Sequence, residues 1–120
     1  MAVTTQTISS LSTSLFNDTD NANSAVTVKG SSGTLYYIEI DNTANGAASY
    51  SKFYDSAGAI TVGTTAPDDI IKVPASGSVK IPFIGGRAFA NGLQVATVTA
   101  GGTAGTTSPT SDVIVRVAYT

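Results

Sequence analysis

The sequence has no cysteine, no histidine and no tryptophan, and Glu39 is its only glutamate. Without cysteine there is no disulfide, no thiol nucleophile and no thiolate metal site. Without histidine, imidazole ligands and the usual serine triad are excluded too. Charge is scarce: Asp, Glu, Lys and Arg make up 12% of 120 residues, with a net charge of −2. No basic patch stands out, so a nucleic-acid partner is not expected. No apolar run reaches the ~18 residues of a spanning helix, so no membrane partner is expected either. The opening MAVTTQT has neither a basic stretch nor an apolar one, so no signal peptide is expected.

What is present is β-branched. Val and Ile together number 20 against 4 Leu, and Thr adds 18 more. Branching at Cβ stiffens χ1 and suits a pleated surface, so strands are favoured and helices are not. The segments AVTVKG, TLYYIEID, SYSKFYD, IIKV, SVKIPF, LQVATVTA and DVIVRVAY read as short strands separated by Gly, Pro, Asn and Ser. That pattern predicts an all-β fold of about seven to nine strands, an antiparallel, jelly-roll-like β-sandwich. In TLYYIEID, alternation places Tyr36, Ile38 and Ile40 on one face and Tyr37 on the other. Tyr36 is therefore expected in the core and Tyr37 at an edge or interface. Pro82 marks SVKIPF as an edge strand or a bulge.

Residues 1–24 differ from the rest. They are rich in Ser, Thr and Asn with sparse apolar positions, and read as an N-terminal arm before a domain over 25–120. The arm is expected to carry at most one strand, a loop at Asn17–Ser24, and little of the core. A scaffolded segment of this length can reach a neighbouring chain, so Val3, Ile8, Leu11, Leu15 and Phe16 are its candidate anchors. GGRAFANG reads as a loop or single helical turn with left-handed sites at Gly85-Gly86 and Asn91-Gly92. Arg87 is a further candidate contact there.

The chemical motifs fail on inspection. Asp18 and Asp20 in NDTDNANS suggest Ca²⁺, but Asn23 stands where the turn glycine is needed and Lys29 where the bidentate glutamate should be. Ser49-x-x-Lys52 lies in a strand-like run, where residues three apart face opposite sides. Asp68-Asp69 are adjacent in a loop, not held apart across a cleft. No catalytic residue, cofactor or metal site is expected, and the protein is expected not to be an enzyme.

A set of landmarks carries a resemblance. They are Gly33-x-Leu35-Tyr36-x-Ile38-x-Ile40-x-Asn42, Tyr50-x-Lys52-Phe53-Tyr54-Asp55, Pro67 and Val73-Pro74-Ala75. Phe83-x-x-Gly86, Phe89-x-x-Gly92-Leu93-x-x-Ala96 and the final Tyr119-Thr120 complete it. Over about residues 25–120 the chain resembles small virion proteins of tailed bacteriophages, cyanophages included. Within that group it is most similar to capsid cement or decoration proteins. The resemblance implies a non-enzymatic role in the virion. The partners it implies are the major capsid protein and further copies of the chain itself. A tail, fibre or baseplate module and a carbohydrate-binding β-sandwich are the alternatives.

Overall fold

The structure, a computed structural model, describes residues 13–120. It contains eight strands: β1 Ser14–Asn21, β2 Val26–Lys29, β3 Gly33–Asp41, β4 Ser49–Tyr54, β5 Asp69–Val73, β6 Ser78–Phe89, β7 Leu93–Val98 and β8 Val113–Tyr119. They form two four-stranded antiparallel sheets packed as a sandwich, ordered β1-β8-β3-β6 and β2-β7-β4-β5. First pairs with last, second with seventh, third with sixth and fourth with fifth. This is the order of an eight-stranded jelly roll, a long hairpin rolled over itself.

The core follows from alternation. Val113, Val115 and Val117 of β8 are fully buried, and Ile114, Arg116 and Ala118, between and beyond them, face the other way. Ile38 and Ile40 of β3, Val95 of β7, Phe53 of β4 and Phe89 of β6 close the interior from both sheets. Val79, Ile81 and Phe83 of β6 share the inward face, and β6 is an edge strand, as Pro82 predicts.

A buried polar line crosses the sandwich. Thr97 Oγ1 donates to Asn21 Oδ1 at 2.6 Å and lies 2.8 Å from Ser51 Oγ. Asn21 Nδ2 donates to the Val95 carbonyl at 3.3 Å. The line ties β1 of one sheet to β4 and β7 of the other.

Three sequence expectations change. The loop expected at Asn17–Ser24 is strand as far as Asn21, because β1 pairs with β8 from Ser14↔Tyr119 to Asn21↔Val113. Residues 14–21 therefore belong to the sandwich, and the boundary expected at 24/25 does not separate an arm from it. In β3 the register shifts between Leu35 and Tyr37 against both neighbours. Against β8 Tyr36 is the extra residue, whereas against β6 the surplus lies on β6, where residues 83–86 stand opposite it, and the phase resets there. Leu35, Ile38 and Ile40 are buried, while Tyr36 and Tyr37 are both half-buried. Opposite Tyr36, GGRAFANG is not a loop: β6 runs through it to Phe89. Gly85 and Gly86, with φ of 80° and 82°, bend that strand into a bulge that a residue with a Cβ would strain.

Candidate functional site

The outer faces of the two sheets are unlike. On β2-β7-β4-β5, Phe53 points inward, so Lys52 and Tyr54 point outward, yet both are buried. Loop 99–111 covers Lys52, whose Nζ donates to the carbonyls of Thr103 at 3.0 Å and Gly105 at 2.8 Å. Burial lowers the Lys52 pKa from its ordinary value and raises that of Tyr54. Loop 55–68 covers the neighbouring part, where Gln94 Nε2 donates to the Ser56 and Gly58 carbonyls at 2.9 and 2.7 Å. Ala96 and Val98 are fully buried beneath the same cover.

On β1-β8-β3-β6 the outer face is open. Phe16, Val117, Ile38 and Ile81 point inward, so Leu15, Ala118, Tyr37 and Pro82 point outward. Register puts these four in one row across all four strands: Leu15↔Ala118, Ala118↔Tyr37 and Tyr37↔Pro82. Beside it runs a polar row, Asn17·Arg116·Glu39·Lys80. Arg116 Nη1 meets Glu39 Oε1 at 3.5 Å, and the Tyr37 hydroxyl donates to Glu39 Oε2 at the same distance. Leu15 is 67% exposed, and Ile84, on the β6 bulge beyond Pro82, is 99% exposed. These are the two barest large apolar side chains among the described residues.

The sequence candidates fall into four groups. Leu15 and Tyr37 share the open row. Phe16 packs inward against the core, so it is no free anchor. Val3, Ile8 and Leu11 lie outside the described residues. Arg87 pairs with Asp69 at 2.6 Å, joining the edges β6 and β5. That pair spans the mouth of a cleft of about 310 Å³, floored by Leu35, Ile38, Phe53 and Leu93.

The carboxylates at this cleft are each committed. Asp55 accepts backbone N–H bonds from Ala90, Asn91 and Gly92, which hold its pKa below the ordinary value. Asp68 Oδ2 accepts the Asp55 N–H at 2.7 Å, and Asp69 faces Arg87. No cluster of carboxylates able to hold a metal ion occurs among the described residues. Ser49 Oγ donates inward to Asn42 Oδ1 at 2.7 Å while Lys52 points outward, so the two share no site. The tyrosines are likewise divided: Tyr36 and Tyr37 lie on one sheet, Tyr50 and Tyr54 on the other.

Ala118 and Ile84 were not singled out by sequence, and Pro82 only as the mark of an edge strand or bulge. Their signal is the register between distant strands, which no local pattern holds. No protein-family model matches the chain, and no curated protein does either.

Proposed function

We propose that the chain is a non-enzymatic structural protein of a virion, a capsid cement or decoration protein that holds neighbouring subunits together. The observation that carries this reading is the unlike covering of the two sheets. One outer face is covered over β4 and β7 by the chain's own loops, to the extent of burying a lysine. The other leaves an apolar row and two bare aliphatic side chains in water. Exposed apolar groups that line up across a rigid sheet suit a protein contact. The low charge keeps the desolvation cost of that contact small. The jelly roll and the landmarks quoted above point the same way, as does the lack of any uncommitted acid pair at the cleft.

Quantitative mass spectrometry of purified particles tests the reading. A cement protein is expected at tens to hundreds of copies per particle. Absence from particles overturns the proposal, and a copy number at a small multiple of three or six moves the protein to the tail or baseplate. Added back to heads assembled without it, the purified chain is expected to co-sediment with them.

A further inference from the structure

The open face is complementary to itself. A two-fold axis parallel to the strands, set above the gap between β8 and β3, reverses the strand order and leaves each row at its own height. The row Leu15·Ala118·Tyr37·Pro82 then lies against Pro82·Tyr37·Ala118·Leu15 of a second copy. Each Tyr37 ring falls over a small Ala118, and each Leu15 over a Pro82. In the polar row, Arg116 falls over Glu39 of the second copy and Glu39 over Arg116, while Asn17 meets Lys80. The same operation carries the bulge of β6, with Ile84, over the β1 of the other copy near Leu15. The barest aliphatic groups are thus set to cover one another.

We infer that this face is a two-fold contact between copies of the chain. The inference rests on the reading of the protein as an assembly component and names one partner of that face. Two features recommend a second copy over an unrelated surface. An isologous contact requires one patch to be its own complement in both size and charge, and this patch meets both conditions. The Glu39–Arg116 pair is also loose at 3.5 Å, so a carboxylate and a five-donor guanidinium keep capacity for a second partner. Face-to-face sheets pack about 10 Å apart with their strands within about 30° of each other, which this axis allows.

The extent of the contact is bounded. The next row sets Asp41 against Ile114, which ends favourable packing there. Four strands and the two rows cover roughly 19 Å by 14 Å. That is well under the roughly 800 Å² per partner of a standard interface. The pair is therefore weak in dilute solution and forms where copies are crowded, as on a particle surface.

Sedimentation equilibrium of the full chain between about 10 μM and 1 mM tests it, with circular dichroism melts to confirm folding. The wild type is expected to associate as the concentration rises. Glu39→Arg and Arg116→Glu are each expected to weaken this at least tenfold, because each faces its own like charge across the axis. An equimolar mixture of the two variants is expected to associate again, since each supplies what the other lacks. Leu15→Asp, at an exposed site, gives a second break in the contact should a charge variant fold poorly. A wild type that stays monomeric to 1 mM overturns the inference, as does a mixture that stays monomeric. Particle binding is measured separately. A monomeric chain that still binds heads, and loses that binding with Leu15→Asp, assigns the face to the capsid lattice and leaves the cement reading standing.

Discussion

Lys52 Nζ lies 2.8 Å from the Gly105 carbonyl oxygen, and the whole side chain is sealed from water by the loop to which it donates. A buried ammonium must be compensated by hydrogen bonds, and here two carbonyls of loop 99–111 supply them. The lysine thus acts as a pin that fixes the loop to the sheet. Lys52→Ala removes the stem and leaves both carbonyls without their donor, each such loss costing about 1–3 kcal/mol. Loop 99–111 is expected to become the first site of limited proteolysis, while the wild-type loop resists. Burial lowers the Lys52 pKa from 10.5, so the unfolded chain binds more protons there than the folded one. Stability from this group therefore rises with pH through the window ending near 10.5. Lys52→Met, which keeps the bulk without the charge, is expected to remove that rise in melts run as a difference from wild type.

Asp55 contributes a pH dependence of the same sign at the acid end of the range. Backbone N–H groups of Ala90 and Asn91, and more weakly Gly92, hold its carboxyl below the ordinary 3.8. A depressed carboxylate contributes stability that is present above 3.8 and is lost as the pH falls through the folded value. Asp55→Asn is expected to cost about 1 kcal/mol at neutral pH, because the site is partly wet and the amide accepts less strongly. The gap between variant and wild type is expected to narrow in urea melts taken progressively below pH 3.8.

The bulge at Tyr36 decides which side chains of β3 matter. Leu35 is 5% exposed and sits in the core cluster, whereas Tyr36 lies outside it. Leu35→Ala is expected to cost about 2–5 kcal/mol, the range for a deleted core aliphatic. Tyr36→Ala is expected to cost less, as read from midpoints in denaturant. Equal losses would mean that Tyr36 reaches the core after all.

This bulge also shows what could be read from the residues. In SVKIPF and DVIVRVAY the alternation of apolar residues is unbroken, and it matches the inward positions of β6 and β8. In TLYYIEID it is broken at Tyr36, where Tyr36 is surplus against β8 and residues 83–86 are surplus on β6. The segment looks just as regular either way. The covering loops present the same difficulty: LQVATV is buried on both faces, and its outer side is dry because Lys52 holds loop 99–111 and Gln94 holds loop 55–68 over it. The open row is the extreme case. Leu15 and Tyr37 could be named singly, but their alignment is set by two ladders, Leu15↔Ala118 and Tyr37↔Ala118, that join residues far apart in sequence.

β1 gives the sharpest test of the chain's organisation. It pairs with β8 along its length, its Phe16 packs on the core, and its Asn21 belongs to the buried polar line with Thr97 and Ser51. Deleting residues 2–12 leaves every one of these contacts in place, so the domain is expected to fold, with a nearly unchanged melting temperature. Deleting residues 2–22 removes them together. It opens the whole edge of β8 to water and takes the Ala22 carbonyl from the buried Thr97 N–H that donates to it at 2.9 Å. Losing the half-buried Phe16 contact costs about 1–3 kcal/mol, and the unpaired buried Thr97 N–H adds about 1–3. A domain of this size holds only about 5–15 kcal/mol in all, so the longer deletion is expected to give an unfolded or aggregated chain by circular dichroism. A cooperative melt from the longer deletion, close to that of the wild type, would show that β1 is dispensable and that residues up to 22 form a separable arm.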